Sequence, residues 1–329
     1  MSHTIKAPFP YFGGKSRIAA EVWQRFGDVP NYVEPFCGSC AALLARPHAP
    51  RIETVNDVDG MIANFWRALQ ADPDAVAHHA DWPVNENDLH ARHSWLVGQK
   101  ETLQAQLDGD PGYYDAKIAG WWVWGISCWI GSGWCSGNGP WYTVDGELVN
   151  VKGAAGRGVT RKRPHLGNAG RGVNRKRPLL EYMQELAFRL RRVRVCCGDW
   201  SRVCGPAPTT KLGTTAVFLD PPYADTANRT DALYTNDSLS VAHDVRHWAI
   251  EHGTDPDMRI ALCGYDTEHD IPEDWECLEW KARGGYGSQS EDSQARDNSS
   301  RECIWFSPHC LNAEKQLTLF DTDLQEPIT

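Results

Sequence analysis

Short apolar runs that stop at Gly- or Pro-bearing turns, with text of helical period between them, restrict this chain to one class of architecture. Tyr32-Val33 is broken by Glu34-Pro35-Phe36-Cys37-Gly38, and the run at 51–55 ends at Asn56-Asp57. The run at 193–196 precedes Gly198-Asp199-Trp200, and the fully apolar run at 216–219 stops at Asp220-Pro221-Pro222-Tyr223. A short apolar run with no polar alternation is the mark of a buried strand. Helices are expected between these runs. One carries Ile18, Val22 and Phe26 on a single face, a second covers 40–45 with Ser39 as its cap, and a third spans 58–71. Others are expected up to about 107, over 113–129, over 179–191 and near 241–251, with strands near 259–263 and over 302–306. Strands alternating with helices build a doubly wound α/β sheet, whose ligands sit at the carboxyl ends of the strands.

Length and charge set the remaining bounds. The 329 residues, 41% hydrophobic, suffice for one large α/β domain with an insertion or for two modest domains. The net charge of -10 argues against a nucleic-acid partner until its distribution is read. Residues 151–194 hold thirteen Lys or Arg against two acids, Glu181 and Glu185. Such asymmetry fits a basic surface aimed at phosphates on an acidic body, with a solvated loop as the plainer alternative. The same region contains a repeat, Gly156-Arg-Gly-Val-Thr-Arg-Lys-Arg-Pro164 and Gly170-Arg-Gly-Val-Asn-Arg-Lys-Arg-Pro178, which reads as a turn or hairpin. Upstream lie Trp121, Trp122, Trp124, Trp129, Trp134 and Trp141, more often a core than a base-stacking platform. Eleven cysteines, an odd number, exclude complete disulfide pairing, and with no signal-peptide pattern or long apolar stretch the reading is a reducing cytoplasm. Cys37 and Cys40 have CxxC spacing, but without a second such pair no metal is expected.

Asp220-Pro221-Pro222-Tyr223 carries the chemistry. An exocyclic amino group on an aromatic base is a poor nucleophile because its lone pair is delocalised into the ring. A carboxylate at Asp220 and the carbonyl of Pro221, stiffened by the ring of Pro222, can accept its two hydrogens and free that lone pair. Tyr223 offers a face on which the base stacks. Glu34, Phe36 and Gly38 form a strand–turn–helix cradle for a nucleoside ligand. Asp57 can accept from ribose hydroxyls, its alternative role being a helix cap. Asp199 can take an adenine amino hydrogen and Trp200 can pack on the ring. Tyr11-Phe12-Gly13-Gly14-Lys15-Ser16 suggests a phosphate loop, but that motif needs Gly where Phe9 stands. Lys15 can still reach a carboxylate, such as the amino-acid end of a cofactor.

In this order the five elements resemble the Dam-like, α-group DNA adenine-N6 methyltransferases, and the insertion is similar to those of phage and prophage members. The resemblance covers about 6–70 and 190–306. It implies a Rossmann-like fold with an inserted helical and loop region for target recognition. It further implies S-adenosyl-L-methionine as cofactor, bound by Tyr11, Lys15, Glu34, Phe36, Gly38, Asp57, Asp199, Trp200 and Asp220. Asp220, Pro221, Pro222 and Tyr223 would hold a flipped adenine. Cys40 stands where the family often has Gly, and Trp200 where it often has Phe. The implied organisation is a cofactor part (1–71), a DNA-binding insertion (72–190), a second catalytic part (191–308) and a tail (309–329). Arg157, Arg161, Lys162, Arg163, Arg171, Arg175, Lys176 and Arg177 are expected to contact double-stranded DNA, mostly at phosphates. In the tail, Gln316, Leu317, Leu319 and Phe320 look like the peptide by which bacterial proteins dock on the replication sliding clamp. The same chemistry on RNA or cytosine N4, and a catalytically silent DNA- or clamp-binding protein, are the rival readings.

Overall fold

The computed structural model describes residues 5–11, 14–129, 133–135, 141–144, 147–150, 178–222, 241–266, 270–280 and 302–312, with 141–150 described by main chain alone. Within them the strands are β1 (Asn31–Glu34), β2 (Ile52–Asp57), β3 (Trp141–Val144), β4 (Glu147–Asn150), β5 (Arg194–Cys197), β6 (Thr215–Leu219), β7 (Met258–Tyr265), β8 (Glu276–Trp280) and β9 (Glu302–Phe306). The helices are α1 (Ala19–Phe26), α2 (Ala41–Leu44), α3 (Gly60–Ala71), α4 (Pro73–Ala80), α5 (Glu86–Gly109), α6 (Ala116–Cys128), α7 (Leu179–Leu190) and α8 (Val241–His252).

Seven strands form one sheet in the order β5-β2-β1-β6-β7-β9-β8, and β3 pairs with β4 as a separate hairpin. From β5 to β7 every pairing is parallel; β9 runs antiparallel to both its neighbours. Both β1 and β6 are buried along their whole length, as the apolar run at 216–219 requires of a strand covered on both faces. Successive side chains enter opposite layers. Tyr32, Ala216 and Phe218 join the apolar cluster under α1, α3, α4, α6 and α7, while Val33, Val217 and Leu219 join the cluster under α8. The doubly wound α/β expectation is met. The sheet reverses direction of growth between β1 and β6, so a crevice opens at their carboxyl ends.

The tryptophans of the segment from Trp121 to Trp134 are core. Trp122, Trp124, Trp129 and Trp134 are buried, and Trp121 is half-buried. The Trp134 indole N–H donates to the Trp122 carbonyl at 3.1 Å, and its ring fills the space beside Gly125 that any Cβ would need. The Arg92 guanidinium lies over the rings of Trp82, Trp121 and Trp124 at 5.1, 4.8 and 4.3 Å. Pro73, behind its Asp72 cap, opens α4 and Asn85 caps α5, which gives the helices expected between 71 and 107 their boundaries.

Two strand features escaped the sequence reading. Strand β8 is a half-exposed edge without an apolar run, and the β3–β4 hairpin joins the Trp-rich segment to the basic one. One local reading is corrected: Ser39 does not cap α2. The cap position is Cys40, in left-handed conformation (φ 53°) and with no side-chain cap bond.

Candidate active site

Three strand ends converge on an open cleft of about 680 Å³. Tyr11, Lys15, Glu34, Phe36, Asp57, Asp220 and Pro222, all singled out in the sequence, line it, together with Ser39, Val58, Asp59 and Phe218. Because β1 and β6 pair in parallel from Asn31↔Thr215, the Glu34 turn and the Asp220 turn emerge side by side at the same end of the sheet.

The first turn is built on backbone hydrogen bonds to Asp57. The Gly38 N–H donates to Asp57 Oδ2 at 3.0 Å, and the Asp59 N–H donates to Asp57 Oδ1 at 3.0 Å. Asn56 Nδ2 donates to the carbonyls of Pro35 (3.0 Å) and Gly198 (2.9 Å), tying the turns after β1 and β5 together. Gly38 has φ +42°, and a Cβ there would lie 2.5 Å from the Tyr11 ring. The close approach read at Gly38 is therefore made by Tyr11. Cys40, where the family resemblance expects Gly, holds the left-handed conformation that Gly adopts without steric cost. Glu34 is buried; its Oε2 accepts from the Tyr32 hydroxyl at 3.0 Å and the Leu43 N–H at 3.2 Å. Burial pushes the Glu34 carboxyl up to about 8 against the pull of those two donors. Burial, with Asp59 adding repulsion, pushes Asp57 up to about 7.

The second turn meets Lys15. Its ammonium, on a side chain 3% exposed, donates to Asp220 Oδ1 at 2.9 Å and Oδ2 at 3.0 Å, and lies 3.8 Å from Glu302 Oε2. Burial lowers the pKa of Lys15, but Asp220, Cys263 and Glu302 outweigh it and raise the pKa above the ordinary lysine value. Burial raises Asp220, opposed by Lys15 and by the hydrogen bond to the Cys263 thiol. The sequence reading gave Lys15 a carboxylate to reach; the one it reaches is Asp220. A carboxylate has about four acceptor sites, so this contact leaves Asp220 lone pairs for a second donor.

Phe36 and Trp200 stack, with centroids 6.3 Å apart and planes 29° apart. Asp199 is exposed; its Oδ1 accepts from the Ser201 N–H at 3.0 Å, which makes it the cap of the 3-10 turn Trp200–Val203. Tyr223, the basic residues from Arg157 to Arg177 and the peptide Gln316–Phe320 lie outside the described residues.

Residues 11–96 match the D12 class N6 adenine-specific DNA methyltransferases. This agrees with the Dam-like resemblance and with a Rossmann-like methyltransferase sheet, and it supports DNA adenine methylation as the general class of activity. No curated protein matches the chain. Among the described residues no helix is long and apolar enough to cross a membrane. All eleven cysteines are free thiols.

The D12 match ends well before Asp220, so the second half of the cleft rests on geometry. Within that half the sequence reading missed Cys263, Trp280 and Glu302, which surround Lys15 and Asp220. The only sequence signal for Glu302 is an acid at the first position of a strand that is buried throughout. Nothing in the sequence links it to Lys15.

Proposed function

We propose that this protein transfers a methyl group from S-adenosyl-L-methionine to the N6 amino group of adenine in double-stranded DNA, with the adenine turned out of the helix. The observation that carries the reading is the meeting of the Asp220-Pro221-Pro222 turn with the Glu34–Ser39 turn and Asp57 in one cleft. The residues fit the cofactor. Asp57 and Asp59 place acceptors at the end of β2, and Phe36 and Tyr11 give aromatic surface. When bound, the cofactor supplies an electrophilic methyl. Asp220 and the Pro221 carbonyl accept the amino hydrogens and stabilise the positive charge that develops on nitrogen. Lys15 fixes the orientation of the Asp220 carboxylate. Tyr223 would stack on the base.

The test is incubation of the protein with methyl-labelled cofactor and duplex DNA or RNA, followed by digestion to nucleosides. Label in N6-methyldeoxyadenosine is expected. Label at cytosine or in RNA overturns the substrate, and no label overturns the activity. Asp220→Ala should lower the rate by at least about 100-fold, the scale of losing one preorganised electrostatic partner.

A further inference from the structure

We propose that Glu302 is a positioning residue that shares Lys15 with Asp220 and so keeps the Asp220 carboxylate a strong acceptor; this rests on the methyltransferase reading above. Lys15 sits between two acids, bonded to both oxygens of Asp220 at 2.9 and 3.0 Å and 3.8 Å from Glu302 Oε2. All three groups are largely withdrawn from solvent, with side-chain exposures of 3% for Lys15, 8% for Glu302 and 20% for Asp220. At such depth a single ammonium facing a single carboxylate would neutralise it and blunt its pull on an amino group. Two carboxylates set against the same ammonium leave Asp220 less neutralised than a one-to-one pair would. That remaining charge faces the cleft through Asp220, the more exposed acid. It favours positive charge building on the nitrogen of a base held there.

The packing holds Glu302 in place for this role. It opens β9, paired with Trp280 of β8 and with Tyr265 of β7, and the Trp280 ring lies 5.7 Å from the Lys15 ammonium. The fully buried Cys263 of β7 is also hydrogen-bonded to the Asp220 carboxylate. Among the described residues, the ionisable groups facing Asp220 are thus Lys15, Glu302 through Lys15, Cys263, and Glu34 from β1. None of β7, β8 and β9 was expected to contribute to the site.

The experiment compares the wild type with Glu302→Gln and Glu302→Asp. The readouts are steady-state kinetics across pH and the titration of Asp220 by carboxyl-carbon NMR, assigned with Asp220→Asn. Losing the Glu302 charge removes its competing pull on Lys15 and strengthens the hold of Lys15 on Asp220. The Asp220 titration and the acidic limb of kcat should then move to lower pH. The plateau of kcat should fall about tenfold or more, the scale of losing an outer partner of a reactive group, with KM for DNA little changed. Glu302→Asp, whose shorter side chain sets its carboxylate farther from Lys15, should move the limb in the same direction by less and keep part of the rate. A fall in rate with both titrations unmoved, or no fall at all, overturns the proposal. If the wild type methylates no nucleic acid, the functional reading fails on its own. The NMR titration then still decides whether Glu302 acts on Asp220. Should Glu302→Gln not fold, a titration of Asp220 unaltered in Glu302→Asp despite a shortened side chain and a lost rate overturns the proposal.

Discussion

Gly38 shows how little room single positions in the cleft leave. Its positive φ is one that L side chains rarely adopt, and the Tyr11 ring fills the space a Cβ would take. Gly38→Ala is expected to destabilise the protein by about 1–3 kcal/mol, from backbone strain and overpacking together. Urea unfolding measures that, and cofactor binding should weaken in parallel because Tyr11 and the 34–39 turn both line the cleft. An unchanged midpoint would mean that Tyr11 moves aside at no cost. Asp57 combines two tasks. Both of its oxygens are already engaged by backbone N–H groups of the turn, yet it lines the cleft, so it organises the loop and presents an acceptor at once.

At the scale of elements, the β2 side of the sheet is locked by a buried ion network. Glu53 of β2 accepts from Arg189 of α7 at 2.7 and 2.9 Å, a two-pronged contact, and from Arg46 at 3.2 Å. Arg189 also donates to the Leu43 carbonyl of α2, so three elements meet at one carboxylate. Glu53→Ala would strand two guanidinium groups in the interior, and a loss of about 3–5 kcal/mol in chemical unfolding is expected. Replacing a surface pair such as Arg51–Asp28 should cost less than about 1 kcal/mol. Helices α4 and α6 pack equally tightly. A Cβ at Gly120 would collide with that of His79 and lie 2.8 Å from the Val76 carbonyl, so the contact is backbone against side chain with no slack.

For the whole molecule, pH and salt are the levers. Glu34 and Asp57 have folded-state pKa values of about 8 and about 7, above their ordinary values of 4.5 and 3.8. An acid whose pKa rises on folding contributes stability that is complete below its unfolded pKa and is lost as pH climbs through the folded value. Stability should therefore decline from about pH 5 to about pH 8, and Glu34→Gln should flatten part of that slope in denaturant melts taken across the range. A slope unchanged in Glu34→Gln would show that the carboxyl is ionised in the folded protein. The basic segment governs the other lever. Replacing Arg175, Lys176 and Arg177 by Ala should weaken DNA binding and reduce the salt slope by about 0.9 for each phosphate that is no longer neutralised. A slope equal to that of the parent protein would remove this segment from the DNA interface.

The strands and most helices were legible because burial on both faces leaves an unbroken apolar run, as at Val217–Leu219, and because an apolar face recurs at helical spacing, as at Ile18, Val22 and Phe26. The cleft residues Glu34, Phe36 and Asp57 were legible for the same reason: they sit at strand ends and on the turns that follow them. Edge strand β8 was not, since a half-exposed strand needs no apolar signature. The left-handed Cys40 reads as an ordinary helix start, because its conformation is set by the turn around it rather than by the thiol. What no local pattern can carry is the pairing of Lys15 with Asp220, 205 residues away along the chain, and with Glu302, farther still. Sequence determined which groups stand at the ends of which strands, because burial and turn chemistry act between neighbours in the chain. Tertiary structure alone decided that β9 returns beside β7 and sets a second acid on the same ammonium, since strand order is fixed by packing across the sheet.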